Sequence, residues 1–373
     1  MGSTDFIDNV HIEVKDFSST TQFPFTLTAE LPGSGDLKLE GKAGPLAPAG
    51  TPIQANLEIS KLDLAGLGAN PDMGLGGIGN LDGTLDSDGK TAKVNGTLSL
   101  DKLKLSPKGS PAGREIQVQI ATDYDLDKQS GSLSQGEISV GKALAHLTGS
   151  YQTVGEATQV NMILNAPGLP VGEVSALLPA FGVTLPAGST LKGGTLSVRL
   201  DIKGPTDKLV ITGPVKLENT SLAGFDLGSK LSALSAFTGK AASSKDTSIQ
   251  NASMNTRMAP EGTRLDSINV TVPSLGALTG AGTVSPDGAL DFRLVANLSG
   301  GAAGGLTQMA GLGRSGSGGG IPFVIAGTTA NPKFLPDIKG MAGSAAQDAI
   351  GGALGTKSES ITKGLGGLLR KKP

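Results

Sequence analysis

Between residues 193 and 222, Leu196, Val198, Leu200 and Ile202 alternate with Ser197, Arg199, Asp201 and Lys203. A period of two sends neighbouring side chains to opposite faces, so this segment is a strand with one aliphatic and one charged face. Gly204 and Pro205 interrupt it and the chain re-enters at 209–211 with Ile211. Beyond Gly213 and Pro214, Val215 and Leu217 face away from Lys216 and Glu218. Strand, break and strand in this order predict an antiparallel meander.

The design recurs along the chain. Val10, Ile12 and Val14 alternate with His11, Glu13 and Lys15; Phe23, Phe25, Leu27 and Ala29 form the next row, with Pro24 marking an edge or a strand start. Leu37 and Leu39 open a third strand, and Ile53, Ala55, Leu57 and Ile59 make a fourth after the Gly/Pro loop 44–52. The Gly-rich stretch 66–80 reads as irregular, and Asp86-Ser87-Asp88-Gly89 as a hairpin turn into Val94, Leu98 and Leu100. A long strand from Ile116 to Leu126 follows, then strands at 136–140, 144–151 and 159–164. Period two returns at Ile268, Val270 and Val272, at 278–284, at Leu290, Phe292, Leu294, Ala296 and Leu298, and at 321–326 with Phe323 and Ile325.

Helical spacing appears in two short stripes: Val174, Leu177, Leu178 and Phe181, and then Leu227, Leu231, Leu234 and Phe237, with Asp226 available as the N-cap. Residues 241–251 read as a polar link and 300–320 as a Gly/Ser-rich crossing. From 337 onward, apolar residues fall at helical spacing and end in Leu365, Leu368 and Leu369 before Arg370, Lys371 and Lys372, a tail suited to an anionic membrane surface or a partner. A weak repeat, an aliphatic residue, one spacer and a glycine, recurs at Leu81-Asp82-Gly83, Val94-Asn95-Gly96, Leu147-Thr148-Gly149, Ile211-Thr212-Gly213 and Leu278-Thr279-Gly280. Glycines repeated on the inward face permit bending or close approach, which argues for one extended sheet.

Composition narrows what such a sheet does. Across 373 residues there are 57 Gly, 21 Pro and no Trp or Cys, so the strands are short-turned and the core is thin and aliphatic. The absence of cysteine removes disulfides, thiolate nucleophiles and zinc-thiolate sites. A formal charge of −2 with two Tyr supplies neither a phosphate-tracking surface nor a stacking platform, so nucleic acid is not expected as a partner. No run reaches the roughly 18 apolar residues of a membrane span.

Two stretches satisfy GxGxxG, 74–79 and 311–316, but neither has the strand before and helix after that a dinucleotide site needs. An EF-hand loop around the aspartates at 82, 86 and 88, with Gly89 as its glycine, would start on Thr84 and need Glu where Asn95 stands, and the triplet at 123, 125 and 127 has Lys128 where the glycine belongs, so both read as turns and a solvated face rather than as metal ligands. His11 and His146 fall on separate strands with no nucleophile constellation. No cofactor, metal site or enzymatic activity is expected.

Three runs carry a family resemblance: Leu191 to Leu196 (LKGGTL) with the helical stripe before it, Gly213 to Lys230 (GPVKLENTSLAGFDLGSK) and Ile321 to Asp337 (IPFVIAGTTANPKFLPD). Together they resemble the C-terminal region of the AsmA family of bacterial envelope proteins. The likeness covers 153–337, leaving 1–152 as a strand-rich N-terminal part of the same wall and 338–373 as a helical or disordered tail. It implies a mainly β protein, an extended, curled antiparallel sheet forming an apolar groove with a few short amphipathic helices, similar to bridge-like lipid-transfer proteins. It further implies a periplasmic, membrane-associated protein of outer-membrane assembly. The family carries an N-terminal inner-membrane helix, which is not evident here, so this chain is expected to be a C-terminal portion or a divergent member. Its expected partners are phospholipid acyl chains and an inner or outer membrane surface or envelope proteins.

Parity then gives the expected lining: Leu196, Val198, Leu200, Ile202, Ile211, Val215, Leu217, Val270, Val272, Leu290, Phe292, Leu294, Phe323 and Ile325. Alternation alone fits an open trough and a sandwich equally, since both have one wet face. A structural or adhesive β-protein with a self-filled core is the alternative reading.

Overall fold

A computed structural model describes residues 7–31, 33–48, 50–67, 74–155, 157–232, 244–298 and 320–337. The expected tail beyond 337, the crossing through 319, the second GxGxxG, and Leu234 and Phe237 of the second helical stripe lie outside the described residues. Among the described residues, nineteen strands form a single sheet. They are β1 (Asp8–Val14), β2 (Phe23–Leu31), β3 (Gly35–Ala43), β4 (Ile53–Asp63), β5 (Leu75–Ser87), β6 (Thr91–Leu105), β7 (Ile116–Asp125), β8 (Ser130–Val140) and β9 (Ala143–Val154). The second half holds β10 (Ala157–Pro170), β11 (Thr190–Lys192), β12 (Thr195–Pro205), β13 (Val210–Ala223), β14 (Thr247–Ala259), β15 (Gly262–Val272), β16 (Gly276–Val284), β17 (Leu290–Leu298), β18 (Ile321–Gly327) and β19 (Pro332–Pro336).

Each strand pairs antiparallel with the next, as period-two segments joined by short breaks dictate. The three-residue β11 is the exception. It pairs with the far end of β13, leaving β12 between β10 and β13. The 152/153 boundary falls inside the β9–β10 hairpin, where Thr153 faces Thr158.

The connections are unequal at the two ends of the strands. One end carries tight turns such as 88–90, 206–209 and 260–261 and connections of at most nine residues; the other carries the longest connections, including those with the two short helices of the described residues. Those helices are α1 (Val171–Ser175) and α2 (Leu227–Ser232). The stripe read as one helix over 174–181 is broken: α1 stops at Ser175 and a separate 3₁₀ turn occupies Leu178–Phe181. Pro179 is the cause, because it has no N–H to give the preceding turn, and Gly182 at φ 71° then ends the segment.

Two other readings are corrected. β5 begins at Leu75, inside the stretch read as irregular over 66–80, and β14 begins at Thr247, inside the polar link read over 241–251.

Twist brings distant parts together. Six steps separate β12 from β18, and at roughly 20–25° per step the strand direction turns by about 120–150°. The turn between β18 and β19 therefore comes back to the long-connection end of the middle strands. There the Thr184 and Thr329 hydroxyls meet at 2.6 Å and the Ala187 N–H donates to the Ala330 carbonyl at 3.0 Å. Lys108 Nζ likewise donates to the Pro286 carbonyl at 3.1 Å. The 171–194 connection is held from its other side as well: Ser110 N–H donates to the Pro179 carbonyl, and Arg114 pairs with Glu173 at 2.5 Å.

Candidate functional site

Register carries one apolar face across the whole sheet. Residues directly opposite in paired strands point to the same side, and one row runs Leu169, Leu196, Leu217, Ala252, Val270, Leu278, Ala296 and Ile321. A second links Leu147, Leu164 and Leu200, and a third links Met162, Ile202, Ile211 and Met258. Val198 faces Val215, Phe292 faces Ile325 and Leu294 faces Phe323. The fourteen residues expected from parity thus share one face, with Leu290 opposite Val284 at its tight-turn end.

Burial divides that face. On β14–β18, Val272 (0% exposed), Leu294 and Phe323 (1%) form a closed cluster with Ile268, Leu275 and Leu278, and Leu227 and Leu231 of α2 complete it. Val270, Phe292, Ile325 and Phe334 pack at its margin. A second cluster closes part of the long-connection end: Leu103, Ile116 and Val140 lie with Leu64, Ala112 and Ala180. Between them, Leu196, Val198, Leu200, Ile202, Ile211, Val215 and Leu217 are only half-buried and join neither cluster. Leu147, Met162 and Leu164 share that half-buried state. They belong with the expected lining but were not among it; their own alternation on β9 and β10 carried the signal.

The position of α2 is set locally. The Ser229 N–H donates to Asp226 Oδ1 at 2.9 Å, as the sequence led us to expect of an N-cap. The Ser229 hydroxyl donates to the same carboxylate, and these bonds hold the Asp226 carboxyl below its usual range. Thr247 is buried at the start of β14; its hydroxyl donates to the Phe225 carbonyl at 2.6 Å and accepts from the Leu227 N–H at 3.0 Å. α2 is therefore tied to β14 and pressed onto the apolar face.

Glycines of the repeat lie on the same face. At Gly213, φ is +153° and an added Cβ would stand 2.0 Å from the Arg199 carbonyl oxygen; at Gly280, φ is +154° and the Arg293 carbonyl oxygen would be 2.2 Å away. Neighbouring backbone fills the place of a side chain on the apolar side, which only glycine allows.

The opposite face is wet and charged. Arg199, Lys203 and Lys216 are exposed, and Lys216 pairs with Glu218 at 2.7 Å. The Lys38 ammonium donates to Glu40 at 2.6 Å and holds that carboxyl below its usual range. Asp88 accepts from the Lys90 and Thr91 N–H groups, closing the expected hairpin turn. Asp125 accepts from the Lys128 N–H at 2.9 Å and from its ammonium at 2.7 Å. The first GxGxxG lies at the start of β5, most of it within the strand. His11 and His146 stand exposed on β1 and β9. Among the described residues no three acidic or histidine side chains converge as a metal site, and no helix is long and apolar enough to cross a membrane.

No family model, curated protein or solved structure matches this chain.

Proposed function

We propose that the half-buried face of β9–β13 holds lipid acyl chains, and that the protein is a non-enzymatic lipid-handling component of the bacterial envelope. One observation carries the reading: Leu196, Val198 and Ile202 stand in register with apolar neighbours on both sides, and Leu200 with Leu164 on one, and yet they join no closed core. A sheet that curls toward this face, as its glycines permit, makes a trough lined with aliphatic side chains. Each acyl CH₂ that enters gains about 0.8 kcal/mol relative to water, close to what it had in a bilayer, so lipid can enter and leave without a deep trap.

The resemblance of 153–337 to the AsmA family supports the same reading and suggests phospholipid as cargo, a periplasmic setting, inner or outer membrane surfaces or envelope proteins as partners, and a role in outer-membrane assembly. The closed cluster under α2 favours the second reading, a self-filled structural sheet, for β14–β18 alone. Acyl chains cannot pass along the face beyond β14 without displacing Leu227 and Leu231. The open region is about four strands wide, roughly 19 Å at about 4.8 Å per strand.

Native mass spectrometry of protein purified from a bacterial envelope tests this. Bound phospholipid is expected with the natural sequence and with Arg199→Asp, and its loss with Leu200→Asp at unchanged circular dichroism. Lipid bound equally by both variants, or by none of the three proteins, contradicts the proposal.

A further inference from the structure

The two edges of the sheet differ. β19 is five residues long and carries Pro332 and Pro336, which cannot donate to an added strand, so it is a blocked edge. β1 is seven residues long, exposed throughout and free of proline. Its Val10, Ile12 and Val14 are 54%, 58% and 42% exposed, although Ile12 and Val14 stand in register with Leu27 and Phe25 on the apolar face. A long apolar edge of this kind is one that proteins normally cover or charge.

The direction of its backbone groups follows from one bond. The Lys15 N–H donates to the Pro24 carbonyl at 3.1 Å, so Glu13 and His11, two and four residues before it, also bond inward to β2. The N–H and C=O groups of Ile12 and Val14 and the carbonyl of Val10 therefore point out from the edge, while the Val10 N–H lies in the bulge between Asp8 and His11. An incoming antiparallel strand must pair with these three residues.

We infer that β1 pairs antiparallel with β1 of a second copy of this chain, about a two-fold axis at Ile12. This register sets Ile12 against Ile12 and Val10 against Val14 on the apolar face, and makes about four hydrogen bonds, two between the Ile12 residues and one from each Val14 N–H to the facing Val10 carbonyl. On the polar face it sets His11 against Glu13, so an imidazole N–H meets a carboxylate, and Lys15 against Asn9. Moving the axis by one residue toward either end puts Glu13 against Glu13 or His11 against His11, which loses that complementarity. The left-handed Asn9 at φ 50° and the register shift between Asp8 and His11 end the pairing on one side. The two apolar faces become continuous across the axis. The blocked β19 rules out a head-to-tail array built on this edge, so the assembly closes as a dimer. The inference stands on the edge geometry and is independent of the lipid reading.

The chain contains no cysteine, so single replacements report cleanly. Ile12→Cys is expected to give a disulfide-linked dimer under mild oxidation, because facing residues of a bonded antiparallel pair have Cα atoms about 5.5 Å apart, within disulfide range. Val10→Cys alone should link at least tenfold less, and Val10→Cys with Val14→Cys should link again. Sedimentation of the natural chain should show concentration-dependent dimer, lost in Ile12→Pro, which removes an outward N–H and leaves the bonds to β2 in place. A monomer at all concentrations, or equal linking at Val10 and Ile12, overturns the inference. Circular dichroism of each variant confirms the fold, which these exposed positions should not disturb.

Discussion

Gly213 lies against the Arg199 carbonyl of the neighbouring strand, so closely that a Cβ there would stand 2.0 Å from the oxygen. The contact joins β12 to β13 in the middle of the half-buried face, where the repeat of aliphatic residue, spacer and glycine places it. Gly213→Ala must push the strands apart or leave φ +153°, and strain of this kind costs about 1–3 kcal/mol. Gly172 in α1 has open space around its Cα and no positive φ. Urea titration should show Gly213→Ala destabilised by about 1–3 kcal/mol and Gly172→Ala unchanged to within about 0.5 kcal/mol. Equal effects would remove the glycine repeat from the account of the curl.

The division of the apolar face into closed and open regions predicts unequal truncation costs. Phe323 is 1% exposed within the cluster under α2, and Phe323→Ala should cost about 3–5 kcal/mol. Leu200 is half-buried and joins no cluster, so Leu200→Ala should cost about 1 kcal/mol, a fraction of the full transfer term. Denaturant midpoints check the ratio. A large cost at Leu200 would mean a closed core in the middle of the sheet.

Much of this was readable from residue pattern, and the failures have physical causes. Alternation identified the strands and put Leu196, Val198, Leu200 and Ile202 on one face, because the pleat allows no other assignment. The start of β5 was hidden because Gly76, Gly77 and Gly79 have no side chains to alternate. The start of β14 was hidden because Thr247, Ser248 and Gln250 look like a linker; the buried Thr247 is there to bond Phe225 and Leu227. The helical stripe at Leu227 and Leu231 was legible, but a stripe does not name the surface it will cover. The closure of β14–β18 beneath it therefore emerged only from the structure.

The cap of α2 gives a pH-dependent prediction. Hydrogen bonds from the Ser229 hydroxyl and N–H hold the Asp226 carboxyl below its ordinary 3.8. A lowered folded value means that the stabilising contribution is fully present above the unfolded value. It is lost as pH falls through the folded one. Hydrogen-exchange protection factors of the α2 amides, which divide out the intrinsic pH dependence of exchange, should be high at neutral pH and fall below about pH 4 in the natural chain. Asp226→Ala should exchange faster at neutral pH by about 1 kcal/mol of local stability, and lose the pH dependence. Unchanged exchange in Asp226→Ala would show that Thr247 alone anchors the helix.

The central claim is that Leu200 faces lipid while Arg199, next to it in the chain, faces water. Short photo-crosslinkers placed singly at Leu200 and Arg199, and again at Leu217 and Lys216, test it directly, since neighbours on a strand point to opposite faces. Illumination in an envelope carrying labelled phospholipid should yield lipid adducts at Leu200 and Leu217 and none at Arg199 and Lys216. Equal yields at both parities, or no adduct at Leu200 in a folded protein, would contradict it.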